Sequence, residues 1–226
     1  MHTEVFLETA QGRSPRIRAC GGLAARQTGV DVLHLISTAA TPLGGDTIDI
    51  HVDVGPGSDL TLFSVAATLA LPSRGEPRSQ LNWHVTVADG ARLVIDPLPT
   101  IVAAHAVHHS DTTVSVAGSG TVRICERVQI GRSGEDDGAW SGRLSADIDG
   151  TAAIRHRLRL GKADHDRLGS PAVLISEFCY PDERADLVHP AAVAARLGLA
   201  AGGSLTTVLA GTMPDAERLA GELAAG

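Results

Sequence analysis

The 226-residue chain has few aromatic side chains: one Tyr, two Trp and three Phe, 3% in all. That shortage argues against stacking platforms for bases or sugars. It also requires a core built mostly of Val, Leu, Ile and Ala. An excess of positive charge is lacking as well. Nineteen Lys and Arg face 26 Asp and Glu, a formal charge of −7, the opposite of the basic face that holds nucleic-acid phosphates. Cysteine is scarce. Cys20, Cys125 and Cys179 are odd in number, widely spaced and form no CxxC pair. This argues against a disulfide framework or a cysteine zinc site and fits a reducing cytosol. The apolar runs are too short, and too broken by Gly and polar residues, to span a bilayer. Met1-His2-Thr3-Glu4 does not lead from a basic segment into an apolar one, so no signal peptide is expected. The expectation is a cytoplasmic protein that engages neither membrane nor nucleic acid.

Catalytic signatures are missing too. Gly118-Ser119-Gly120 and Ser133-Gly134 read as turns, and neither forms the G-x-S-x-G elbow. There is no G-x-x-x-x-G-K-[ST] loop, and Gly44-Gly45 is too short to cradle a phosphate. The chain reads as a non-enzyme.

The 25 glycines and a period-two hydrophobic pattern are what the sequence does supply. In Thr47 to Val54, Ile48, Ile50, Val52 and Val54 share one face while Asp49, His51 and Asp53 share the other, as in a half-buried strand. Leu81, Trp83, Val85 and Val87 repeat the pattern. A strand, a Gly-centred turn and a second strand then recur: Val54 to Leu60, Val87 to Leu93, Val116 to Val122, and more faintly Asp147 to Thr151. Glycine suits such corners because it accepts positive φ. The recurrence is about every 30 residues, within the range of stacked repeats. It predicts a mainly β protein: a layered, β-helix-like stack of antiparallel and mixed strands. An ordinary antiparallel meander is the competing expectation. Residues 1–226 read as one β-rich domain, with 186–226 its mixed α/β C-terminal edge carrying one or two short helices. Pro190 to Leu197 is Ala-rich and predicts a helix ending near Gly198. Leu205 to Leu209 predicts a last strand. Thr212 with Asp215 resembles a capping box, Pro214 suits a first helical turn, and Ala216, Leu219, Ala220 and Leu223 line one helical face. Gly161 to Pro171 reads as a loop.

Three groups are candidates for chemistry. His105, His108 and His109 are the densest histidine group, and imidazole suits nickel or zinc. On a strand, His105 and His109 would share one face and His108 the other. Asp46 follows Gly44-Gly45, where a carboxylate also serves simply to satisfy turn N–H groups. Glu126 alternates with Ile124 and Val128, so its carboxylate points inward. A buried Glu needs a partner or a water-filled cavity, and Arg127, Arg132 and Arg143 are the candidate partners.

Four phrases in order carry a family resemblance: Leu43-Gly44-Gly45-Asp46, Leu60 to Thr68, Gly90 to Ile101, and Glu126 to Arg132 with Gly142-Arg143 after it. Across roughly residues 30 to 210 the chain resembles the urease accessory proteins UreD, also called UreH. The resemblance implies a β-helix-like scaffold with two short helices. It implies action with UreF and the GTPase UreG on the urease apoprotein, within a complex that can contain further copies of the chain. Nickel would be a transient passenger, with no tightly bound cofactor. An internal polar passage would have Asp46 and Glu126 at the matching acidic positions and Ser64 and Thr68 in the matching polar strand. Gly44, Gly45, Gly131 and Arg132 would be motif residues of the scaffold. The chain departs from the family at Phe63-Ser64-Val65, at Leu98-Pro99 and at Gly134 to Trp140, and its N-terminal strand region is short. Two rival readings are a nickel store using surface His105, His108 and His109, and a β-helical enzyme acting on polysaccharides. The second would need the stacking aromatics that are scarce here.

Overall fold

A computed structural model describes residues 1–161 and 169–226. The loop expected over 161–171 falls largely on residues 162–168, which lie outside the described residues.

The Gly-centred phrases are the corners of stacked coils. Strands β5 (Thr47–Val54), β8 (Arg78–Val87), β11 (Val107–Val116) and β13 (Ala139–Ile148) run parallel, side by side. Val54, Val87, Val116 and Ile148 stand in register across them. After each corner the chain crosses to a second sheet, where β6 (Asp59–Ser64), β9 (Arg92–Ile95) and β12 (Thr121–Ile130) are again parallel. In two coils a third short strand follows. These strands, β7 (Thr68–Ala70) and β10 (Thr100–Val102), pair with each other, and β10 pairs with the second half of β12. The parallel registers rule out the simple meander and make the repeat a solenoid, in which each coil buries its face only by stacking on the next. Side chains tie the corners together. Asp89 accepts from Ser119 N and Oγ at 2.8 and 2.9 Å, and Asp149 accepts from Gly118 N at 2.8 Å.

Further strands, most of them paired antiparallel, finish the stack. In the first sheet, β1 (His2–Thr9) pairs in parallel with β5 over its whole length, and β2 (Arg16–Cys20) and β14 (Thr151–Gly161) form the edges. The second sheet gains β3 (Leu23–Gly29) and β4 (Val32–Ser37) on one side. On the other it gains β15 (Val173–Tyr180), β18 (Gly203–Ala210), β17 (Val193–Leu199) and β16 (Leu187–Val188). Between the sheets, Ile48, Ile50, Val52 and Val54 meet Leu60, Leu62, Leu93 and Ile95 in one buried cluster. Such aliphatic burial contributes roughly 25 cal/mol per Å² and replaces the missing aromatics.

Helix α1 (Met213–Ala225) starts as its sequence predicts: the Thr212 side chain accepts from Asp215 N at 3.3 Å, and Ala216, Leu219 and Leu223 are buried. They pack on Val173, Ile175, Ala194 and Val208. The helix expected over Pro190 to Leu197 is not formed. Pro190 to Ala192 form a turn, and from Val193 the chain is β17, paired along its length with β18. Alanine's helix preference is a fraction of a kcal/mol per residue, and strand pairing plus alternate burial of Ala194 and Arg196 outweighs it. Among the described residues, α1 is the only α-helix, and no helix is long and apolar enough to cross a membrane.

Arg196 is 1% exposed. Its guanidinium donates to the carbonyl of Leu223, in the last turn of α1, and to Ala185 O at 3.0 Å. A cation there satisfies orphan carbonyls and complements the helix dipole. Arg196→Ala strips both carbonyls of their donor and leaves a void. It is expected to cost about 2–4 kcal/mol, read from the denaturant midpoint. A loss within experimental error would show that the clamp contributes nothing.

Candidate functional site

The two sheets do not close completely. A cavity of about 190 Å³ lies between them. Glu126, His108, Thr112, Thr68 and Ser64 line it, together with an apolar wall that includes Ile48, Ile50, Leu81 and Trp83. Val65, in the corner between β6 and β7, and Leu98, in the corner between β9 and β10, are 57% and 47% exposed and mark its mouth. Of the four sequence-derived passage candidates, the fold brings Ser64, Thr68 and Glu126 to this one space.

Glu126 sits on β12 with its side chain turned between the sheets, as the alternation with Ile124 and Val128 predicts. Burial away from bulk water pushes its carboxyl up to about 7, against the pull of the Ser110 hydroxyl and with a smaller upward push from the Asp111 charge. None of the three expected arginines pairs with it. Arg127 binds Asp96 at 2.5 Å, Arg132 binds Glu135, and Arg143 reaches Asp111 at 3.2 Å. The reason is strand parity: Arg127 follows Glu126 on the same strand and so takes the opposite face. Glu126 therefore has no cationic partner among the described residues, and its free face is the cavity.

Asp46 has a different position. Oδ1 accepts from the Met1 ammonium at 2.5 Å, and Oδ2 accepts from Thr41 Oγ1 and Leu43 N, both at 2.9 Å. Burial raises its pKa, but these donors outweigh it and hold the carboxyl below its ordinary range. Asp46 is thus committed to the 41–46 turn and stands behind Thr41, which does line the cavity. Ser64 is also largely engaged, donating to Ala66 O at 3.0 Å and accepting from Leu98 N at 2.9 Å. It shapes the mouth. Thr68 stands in register with Thr100, another lining residue.

The motif glycines have a steric cause. A Cβ on Gly44 would lie 1.7 Å from Glu76 O, and one on Gly131, at φ +79°, would lie 2.0 Å from Glu135 O. Arg132 joins this second corner through Glu135, whose carboxyl it draws down to about 2, helped by the Arg132 and Ala104 N–H groups. Gly45, at φ +88°, donates its N–H to Arg78 O at 2.7 Å and so ties the Gly-Gly-Asp turn to the next coil.

The histidine trio does not assemble. His105 lies before β11, in a turn at φ 66°, with its side chain 78% exposed and 2.8 Å from Asp137. His108 points inward and is 1% exposed. His109, one residue on, takes the opposite face. Among the described residues no three His, Cys, Asp or Glu side chains are grouped closely enough to hold a metal ion. The tight-storage reading from surface histidines therefore lacks its geometry. Inside, however, a polar row crosses the coils. Asp46 adjoins the paired Thr47–Gln80 position, next to Ser79, and Ser79 is in register with His108 and His108 with Trp140. Ser79 Oγ lies 2.9 Å from His108 Nδ1. Ser79 and Ser110 were not candidates from the sequence. The signal was present: His108, Ser110 and Thr112 share the phase of the apolar Val114 and Val116.

A family profile described as UreD urease accessory protein matches residues 22–180. The chain belongs to the UreD family. Among curated relatives, the urease accessory protein UreD of Frankia alni is 42% identical over 120 residues, covering 53% of this chain and 40% of that protein. UreD 1 of Saccharopolyspora erythraea is 32% identical over 225 residues, covering 89% and 86%. UreD of Streptomyces coelicolor is 29% identical over 221 residues, covering 91% and 85%. Alignment to the Frankia alni protein thus spans less than half of its length. The names of these relatives describe accessory proteins and no catalytic activity. Within the profile's span lie all the lining residues named above, Glu126 included.

Proposed function

We propose that the chain is a urease maturation factor that works with UreF and UreG in the cytoplasm, and that nickel crosses its interior cavity on the way to apo-urease. Family membership supports the maturation role. The observation that carries the passage is Glu126, an inward carboxylate without a cationic partner, facing a cavity with a mouth. Such a group attracts a cation from water and, standing among few other strong donors, does not trap it. GTP hydrolysis would belong to UreG, since this chain has no phosphate loop.

The test is nickel in the product. Deleting the chain from a urease-positive cell is expected to leave urease protein abundant but nickel-poor, with activity lowered by about tenfold or more, the scale of a lost 1.4 kcal/mol step. Complementation should restore both. Normal nickel content without the chain would end the proposal.

A further inference from the structure

We infer that the open edge of β14 and the uncovered inner face of β17 together receive one extended, acidic segment of a partner protein as an added strand. The inference does not depend on the nickel route. It starts from a mismatch between the sheets. Counted outward from the β11–β12 coil, the first sheet has two further strands, β13 and β14, and the second has four, β15, β18, β17 and β16. Trp140 of β13 and Leu158 and Leu160 of β14 pack in one cluster with Leu174 of β15 and Leu209 of β18. The first sheet ends there, and among the described residues no strand of it lies over β17 and β16. Val193 and Leu197 stand in register with Leu209 and Leu205, so they take the same inward face, and Val188 shares it through its pairing with Ala195. These three side chains are 56%, 48% and 64% exposed. The other face of β17 is closed by α1, over Ala194 and Arg196. Stacked-coil proteins need a cap where the core would otherwise meet water, and grouped apolar side chains left in the open mark an interaction site.

The second observation is the edge itself. Strand β14 is 11 residues long and contains no proline, and no described strand pairs with its far side. From Ile154 to Gly161 its register with β13 is regular. A row of unpaired backbone N–H and C=O groups of this length is a template for another strand. A strand laid there would lie over β17, and its inward side chains would cover Val193 and Leu197. One occupant thus satisfies both the edge and the face.

Charge selects the occupant. Arg155, Arg157 and Arg159 alternate along the outward face of β14, all exposed, and Arg143 stands in register with Arg157. Arg155 and Arg143 have carboxylate partners in Asp147 and Asp111, whereas Arg157 and Arg159 have none among the described residues. Like charges opposed across a strand pair destabilise it, and opposite charges stabilise it. A second copy pairing β14 on β14 would set arginine against arginine. The segment that fits alternates apolar residues inward with Asp or Glu outward, a form of recognition by strand addition.

The experiment uses the full-length chain and a capped, fluorescein-labelled peptide of alternating Val and Glu, about nine residues long to match a strand. A peptide of alternating Val and Lys is its counterpart. The Glu peptide should bind saturably, with a midpoint below about 1 mM, and should slow hydrogen exchange of the β14 amides. The Lys peptide should do neither. Arg157→Glu combined with Arg159→Glu should raise the midpoint by about tenfold or more. Leu197→Asp should raise it from the other sheet. All three positions are exposed, so an unchanged melting temperature is expected and verifies folding. No binding by the Glu peptide, equal binding by the Lys peptide, slowed exchange at β2 or β16 instead of β14, or an unmoved midpoint in the arginine variant would each overturn the inference. The arginines would then serve only to keep the edge unpaired. Self-association through β14 would give the place to a second copy and overturn it equally.

Discussion

Glu126→Gln is expected to lower urease activation by about tenfold or more while the chain still assembles with its partners. The substitution keeps shape and removes charge. A unit charge attracts another at ~4 Å by about 4 kcal/mol at an effective dielectric of ~20, so losing it against a divalent ion exceeds the 1.4 kcal/mol of a tenfold effect even after screening by cavity water. Co-purification reports assembly, and urease activity per unit of urease protein reports delivery. Unchanged activation would remove Glu126 from the mechanism.

The same variant has a stability signature in the metal-free chain. Burial lifts the Glu126 carboxyl from 4.5 to about 7, so the folded state keeps a proton that the unfolded state releases. That contribution is complete below pH 4.5 and is lost as pH rises through 7. His108 runs the other way. Burial lowers it from 6.5 to about 4, so its contribution is present above pH 6.5 and is lost as pH falls towards 4. Glu126→Gln should therefore stabilise the chain at pH 8, by on the order of 2 kcal/mol, and much less at pH 4. Thermal melts at the two pH values check this. A pH-independent difference would mean that the carboxylate is not held away from water as described. A site that costs stability when ionised is the usual compromise of function.

Gly44→Ala and Gly131→Ala are expected to be the most damaging glycine-to-alanine changes among the described residues. The new Cβ would meet a backbone oxygen at 1.7 or 2.0 Å, and a backbone oxygen in a corner cannot step aside as a side chain can. Each should cost about 4 kcal/mol or more, the level reached only by a named steric failure, and a marginal solenoid would lose soluble yield. Gly134→Ala is the control. It also has positive φ, at +79°, but nothing lies within 4 Å of its Cβ, so its cost should be only about 1 kcal/mol. Equal stabilities of the Gly44, Gly131 and Gly134 variants would contradict the packing of both corners.

Much of this architecture was legible in the sequence because it repeats. Val54, Val87, Val116 and Ile148 announced the corners, and the alternation around Glu126 announced its inward direction. Strand partners were not legible, since period two says which face a residue takes but not what crosses from the other sheet. Hence the arginines suggested for Glu126 serve Asp96 and Asp111 on other strands and Glu135 within the same corner. Alanine at 191–195 misled for a related reason: local preference pointed to a helix, and the neighbouring β18 decided otherwise. The histidines were read as a surface group by their closeness in sequence. A turn at His105 and strand parity at His108 and His109 separated them. That His108 is buried with its Nε2 unpartnered appears only when the coils are stacked.

The central claim is that nickel travels inside the solenoid and not across its surface. Thr68→Trp tests it most directly, because the indole would fill the cavity next to its mouth without touching the outer faces. Urease should be purified from cells carrying wild type or variant, with the accessory complex recovered in parallel, and its nickel counted per active site. The account predicts an intact complex and nickel reduced to about a tenth or less. Full nickel occupancy with the plugged chain, in a complex of normal composition, would contradict it.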